Sequence, residues 1–211
     1  MTECVVSVCY GVMPNIVIRP ATPTDATHLA CFIDMASNGL ALQVWGTMKG
    51  PGQTLFEVGR SRALREEGSV SYRNGHMAEL DSVVGGALVG YKIAEVHDRN
   101  YRTAGEKNPP ALPAFVETLV ELEAMVPGHW YVNILATYPE HRGHGIGKAL
   151  LTHAESVART TEARGMAIIV ASENRAARRL YESVGYTEKA RRPSVAPADH
   201  HAGDWVLLTK A

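Results

Sequence analysis

"YPEHRGHGIGKALL", residues 138–151, decides the fold. It sets Gly143, Gly145 and Gly147 into five consecutive positions and runs directly into a helical apolar period. Upstream, "WYVNILAT" (130–137) reads as a strand bounded by Pro139. Downstream, Ile146, Leu150, Ala154, Val157 and Ala158 trace one helical face. Glu155 and Arg159 form an i,i+4 pair on the other face, and Gly165 is expected to close the helix at C′. "MAIIVA" (166–171) is a continuous apolar run suited to a strand buried on both faces. "NRAARRLYESVG" then gives a second helix, capped by Asn174 and ended by Gly185. Strand, glycine loop, helix, buried strand and helix together make a parallel βαβ crossover.

Outward from this core the signals are plainer but less specific. "IVIRP" (16–20) is a short strand, followed by a helix with Thr22 or Thr24 as N-cap and Leu29, Phe32, Ile33 and Ala36 at helical spacing. Residues 38–67 read as helical pieces broken around "KGPGQ". A hairpin over 76–95 turns near Asp81-Ser82, and 97–111 is a polar loop. An amphipathic helix follows, with Phe115, Leu119, Leu122 and Val126 on one face, and "WVLLTK" is the last strand. No linker divides the chain, so residues 15–211 are expected to form one domain after a 1–14 N-terminal extension. One reading starts translation at Met13, directly before the patterned region.

The composition is that of an ordinary water-soluble chain: 45% hydrophobic, 20% charged, formal net charge −1. That charge gives no global basic field for nucleic acid or an anionic membrane. Cys4, Cys9 and Cys31 make an odd set without a CxxC, which points to a reducing compartment rather than a disulfide framework or a cysteine zinc site. The apolar N-terminus lacks a Lys or Arg n-region and carries Glu3, so export is not expected. A cytoplasmic location is.

A helix N-terminus presents unpaired N–H groups and about half a positive charge, and glycines let an anion approach them. A phosphate or pyrophosphate is the natural guest; a tight turn without a ligand is the alternative. The dinucleotide fingerprint G-x-G-x-x-G fails because Lys148 stands where the third glycine belongs. The P-loop pattern fails at Arg142 and Ala149.

"RGHGIG" (142–147) instead matches R/Q-x-x-G-x-G/A, and the chain resembles the GNAT superfamily of N-acetyltransferases. "LAT" (135–137) is similar to that family's L-A-V segment, and "NRAARRLYESVGY" to its N-x-x-A-x-x-L-Y-x-x-x-G-F/Y block. The resemblance is specific over about residues 130–190. It implies an α/β (mixed α+β) GNAT fold: a central twisted mixed sheet of about six to seven strands flanked by helices around the βαβ core. It also implies acetyl-CoA as acyl donor, its pyrophosphate held by amides of Arg142, Gly143, His144, Gly145, Ile146, Gly147 and Lys148. Leu135, Ala136, Thr137 and Asn174 would meet the pantetheine arm, and Tyr181 would stand near the thioester sulfur.

Acyl transfer to an amine needs a neutral nucleophile, stabilisation of charge on the carbonyl oxygen, and a proton for the departing thiolate. Strand N–H groups near 135–137 are suited to the second and Tyr181 to the third; a core tyrosine with its hydroxyl at the edge is the alternative for Tyr181. Where histone-type members of the family carry a strand glutamate, this chain has Tyr131, so no base is named. Glu79 and Glu173 are candidates beside a water chain to solvent. Glu140, His141 and His144 have an E-H-x-x-H spacing, but they lie on the loop assigned to phosphate, and no metal is expected. Arg175, Arg178 and Arg179 suit either the 3′-phosphate of CoA or a solvated helix face.

The leading expectation is an acetyl-CoA-dependent N-acetyltransferase acting on a primary amine of a small molecule or peptide. A non-catalytic acyl-CoA-binding or sensor module on the same fold is the alternative, which Tyr181 and its block disfavour. The acceptor would be set by residues 24–67, the 97–111 loop and "RRPSVAPADHHAGDW", with Trp45, Tyr72 and Tyr91 as wall candidates. Homodimers are common in the family, and no feature of this sequence marks one.

Overall fold

Seven strands form one sheet in a computed structural model that describes residues 15–95, 113–195 and 203–211. They are β1 (Ile16–Pro20), β2 (Gly75–Leu80), β3 (Val83–Lys92), β4 (Trp130–Thr137), β5 (Met166–Ala171), β6 (Thr187–Pro193) and β7 (Asp204–Lys210). Their spatial order is β1-β2-β3-β4-β5-β7-β6. Among the described residues only β4 and β5 run parallel; every other neighbouring pair is antiparallel. A parallel pair needs a crossover, and α5 (Ile146–Thr160) supplies it. The mixed sheet and its βαβ core are those expected from the sequence.

The helices α1 (Ala26–Ala36), α2 (Leu40–Met48), α3 (Leu55–Ala63) and α4 (Ala114–Glu123) cover one face, and α5 with α6 (Arg175–Ser183) covers the other. Alternation sorts β5 between them: Met166, Ile168 and Val170 face α5, while Ala167 and Ile169 face the opposite layer. Ile146, Leu150 and Leu151 of α5 are fully buried, each contributing about 1.5–3 kcal/mol by the usual transfer scale.

At the N-terminal end Thr22 caps a 3-10 turn that leads into α1. Asp25 is the knot there. Its carboxylate takes two bonds from Arg19 (2.8 and 2.9 Å) and one from the Thr22 N–H (2.8 Å). The Arg19 guanidinium holds the Asp25 carboxyl down at about 2. Arg19 also reaches Glu79 at 2.7 Å, tying β1, α1 and β2 together.

Two local expectations are corrected and one strand is added. Gly165 does not end α5: Glu162 takes the left-handed position (φ 52°), with Ala163 N–H on Ala158 O at 3.1 Å in a Schellman arrangement. Gly165 is required by space instead, since a Cβ there would stand 2.6 Å from the Lys210 carbonyl oxygen. Glu155 is paired with Lys210 of β7 at 2.6 Å rather than set on a free face with Arg159. And β6, "TEKARRP", is a strand the sequence did not announce. The 97–111 loop lies outside the described residues.

His76 on β2 and His153 on α5 meet in the α5 layer, Nε2 of His153 lying 2.9 Å from Nδ1 of His76. Burial first, and then the His153 ring, lowers His76 from 6.5 to about 4. The unfolded chain therefore takes up the proton first. Stability is full above the unfolded value and is lost as pH falls from 6.5 towards 4. Thermal unfolding should show Tm rising across that window, with a smaller rise in His76→Gln. Equal slopes in the two proteins would remove His76 as the cause. No helix among the described residues is long and apolar enough to cross a membrane.

Candidate active site

The site begins where two strands part. β4 and β5 are paired only at Trp130–Met166, Tyr131–Ala167 and Val132–Ile168. Beyond Val132, β4 follows β3 as far as Thr137, while β5 follows β7 as far as Ala171. The backbone groups of β4 that face β5 lose their ladder partners there, and an unpaired backbone edge is a set of donors and acceptors seeking a guest. The divergence starts at a bulge: Val89 pairs Ile134 and Gly90 pairs Val132, so Asn133 is an extra residue. Leu135, Ala136 and Thr137 lie along the open edge, each half-buried.

At its C-terminal end β4 hands over to the glycine loop. Gly143 and Gly145 both adopt left-handed backbone (φ 83° and 86°), which L side chains rarely enter. Gly145 is the N-cap of α5, so the cap residue has no side chain to satisfy the first turn, and among the described residues none is seen to cap it. The first intrahelical bond runs from Ala149 N–H to Gly145 O at 3.0 Å. The N–H groups of Ile146, Gly147 and Lys148 precede it and have no partner within the helix. Arg142, Gly143, His144, Gly145 and Lys148 are exposed around them. The third glycine has a different reason. A Cβ on Gly147 would come within 3.1 Å of Leu180, so Gly147 lets α6 pack against the start of α5. The Ile146 side chain is fully buried against Gly85 and Gly86 of β3 and contributes only its backbone to the loop surface.

That packing brings the α6 block to the loop. Asn174 caps α6, its Oδ1 accepting from Ala177 N–H at 3.1 Å, as the sequence indicated. Tyr181, one residue after Leu180, is 5% exposed in the α5 layer beside Tyr186, and burial pushes its hydroxyl above the ordinary tyrosine value. It therefore keeps its proton at neutral pH. Arg178 sits between Glu182 and Glu188 at 3.4 and 3.6 Å, and Arg175 and Arg179 are exposed.

Of the carboxylates, Glu79 is held by Arg19 at 2.7 Å on β2, two strands away from β4. Glu173 accepts from Ser172 Oγ at 3.0 Å ahead of α6. Tyr138, which sequence reasoning passed over, secures the strand-to-loop handover: its ring packs on Phe32 of α1 at 4.3 Å, and its hydroxyl meets His28 Nδ1 at 2.8 Å. Burial, and then Cys31, pushes that hydroxyl up to about 12. The signal for it was the aromatic residue placed between the open edge and Pro139.

A cavity of about 150 Å³ lies on the opposite face of the sheet from α5, against the parting strands. Asn133 and Ile134 of β4 and Ile169 of β5 line it, with Trp45 of α2, Phe115 of α4 and Trp205 of β7. Of Trp45, Tyr72 and Tyr91, Trp45 alone lines this cavity.

A parallel pair that opens at a bulge thus leads directly into a glycine-led helix start at the end of the diverging strand. Residues 77–186, just over half of the chain, match the acetyltransferase (GNAT) family, and the chain belongs to that family. Over 63 residues, 26% of this chain, it is 46% identical to N-alpha-acetyltransferase 40 of Saccharomyces cerevisiae, a match spanning 22% of that protein. Among solved structures, the fold is similar to a crystallised acetyltransferase (TM-score 0.67, 21% identity, 92% of this chain and 98% of that one). It is also similar to an N-acetyltransferase of Staphylococcus aureus Mu50 (TM-score 0.63, 18% identity, 92% and 100%). A third likeness is yncA of Salmonella typhimurium, solved with its cofactor acetyl-CoA (TM-score 0.56, 18% identity, 92% of each chain).

Proposed function

We propose that this chain is an acetyl-CoA-dependent N-acetyltransferase acting on a primary amine of a small molecule or peptide. The observation that carries the reading is the continuity between the open edge of β4 and the uncapped, glycine-led start of α5. Residues 142–148 fit a diphosphate: the two left-handed glycines bare the backbone, and the amides of Ile146, Gly147 and Lys148 point a helix dipole at it. Leu135 and Thr137 offer backbone groups to a pantetheine arm lying in the opening, with Ala136 between them. Asn174 already uses Oδ1 as a helix cap, which leaves its Nδ2 as the group to donate to that arm.

Acetyl-CoA supplies an acetyl group activated as a thioester. The chain's part is to orient that carbonyl along the β4 edge, where fixed N–H groups meet the charge that develops on oxygen. Tyr181 holds a proton for the departing sulfur. No carboxylate is assigned as base; water leads the amine proton to solvent. Tyr181 is deeply buried, and this favours one second reading, an acyl-CoA-binding module without turnover.

Calorimetric titration with acetyl-CoA beside NAD and ATP tests the donor, and CoA release with an amine panel tests turnover. Micromolar, acetyl-CoA-selective binding with release supports the enzyme. Binding without release by any amine supports the sensor, and no binding by folded protein sinks both.

A further inference from the structure

We propose that the acceptor is a monoamine whose nitrogen stands next to an apolar group the size of a phenyl ring or a leucine side chain, received by the cavity against the β4 bulge. The proposal rests on the N-acetyltransferase reading and names its acceptor class. Asn133 and Ile134 line the cavity from β4 and Ile169 from β5, at the point where the two strands cease to pair. An occupant therefore lies next to residues 135–137, the stretch of the β4 edge along which the acetyl carbonyl is placed. At about 150 Å³ the space is of the size that takes up benzene when its walls are apolar. Those walls are chiefly Trp45, Phe115, Leu119 and Trp205.

Charge narrows the class further. No Asp or Glu lines the cavity among the described residues, whereas Arg62, 8% exposed, stands in its wall. A polyamine or an aminoglycoside brings additional ammonium groups, which need carboxylates once water is removed. Among the described residues the lining offers a second cation no carboxylate. A single amine does have a polar seat. Asn133 donates Nδ2–H to the Ser69 carbonyl at 2.9 Å, which fixes its amide and leaves Oδ1 to accept an N–H of the acceptor. In the transfer the nitrogen forms the new C–N bond while the acetyl C–S bond breaks. The proton lost by nitrogen balances the one gained by sulfur.

A free amine and a peptide N-terminus beginning with leucine or phenylalanine present this same chemistry. Initial rates of CoA release would be measured on the full chain with 2-phenylethylamine, 3-methylbutylamine, ethylamine, spermidine and a peptide starting with phenylalanine. The two apolar amines should exceed ethylamine in kcat/KM by about tenfold or more, the scale on which single methylenes are discriminated, with spermidine the poorest. Val44→Phe, which fills the cavity from α2, should lower the ratio of 2-phenylethylamine to ethylamine by about tenfold. Thermal unfolding checks that the variant is folded, and Leu119→Phe repeats the test from α4 if it is not. The peptide rate, high or absent, assigns the source within the class and supports the proposal either way. A preference for spermidine, or a ratio indifferent to both folded variants, overturns the proposal while acetyl-CoA binding keeps the N-acetyltransferase reading. Absence of acetyl-CoA binding removes both.

Discussion

Replacing Tyr181 with phenylalanine is expected to lower kcat by about 10²–10⁴-fold, with no comparable loss of acetyl-CoA affinity. The substitution keeps the ring, which fills the α5 layer, and deletes only the hydroxyl, so the fold survives. Burial holds that hydroxyl above its ordinary value of 10. The sign is simple: the protonated form is the active one, and it persists up to and beyond pH 10, so the wild-type kcat should show no fall from loss of this acid below that pH. Stopped-flow or steady-state rates on both proteins, with calorimetry for the donor, would decide the matter. A Tyr181→Phe variant that turns over at the wild-type rate makes Tyr181 a core residue and moves the proton elsewhere.

The second large effect belongs to the loop. Gly145→Val puts a β-branched residue at φ 86°, in a region that costs an L residue about 1–2 kcal/mol even when nothing blocks its side chain. The backbone can relieve that strain only by rotating, and rotation there re-aims the N–H groups of Ile146, Gly147 and Lys148. Misplacement of about 1 Å in such a constellation is worth roughly 10²-fold, so acetyl-CoA binding should weaken by about that factor. Isothermal calorimetry on the folded variant measures it, and unchanged affinity would detach the loop from the donor.

The βαβ core was legible in the sequence because its signals are local and independent. "WYVNILAT", "MAIIVA" and the Asn174-to-Gly185 block each carry their own period and stop, and the observed strands and helix coincide with them. β6 was not legible. "TEKARRP" sits at the sheet edge, exposed at all but one position, so it has no apolar alternation, and its charges and Pro193 are what an edge strand carries to avoid further pairing. Gly165 was misread because a glycine after a helix has two possible reasons, conformation and room, and only the nearby Lys210 carbonyl tells them apart. Glu155 was misread because its partner is 55 residues away. The residues that line the cavity, from α1, α2, α3, α4, β4, β5 and β7 among others, are scattered along the chain, and no spacing rule joins them.

β4 is written in two phases. Before Asn133 the even-numbered residues Trp130 and Val132 point towards α5 and Tyr131 points away; after it the odd-numbered Leu135 points towards α5 and the even-numbered Ile134 and Ala136 point away. One surplus residue therefore works as a parity switch. Deleting Asn133 would leave every other side chain of β4 on its present face, with Ile134 following Val132 in plain alternation; it would remove the bulge at which β4 leaves β5 and the hydrogen bond to the Ser69 carbonyl. A deletion at an alternating position of β4 would instead move the side chains beyond it to the other face, unless Asn133 were drawn out of its bulge to restore the register.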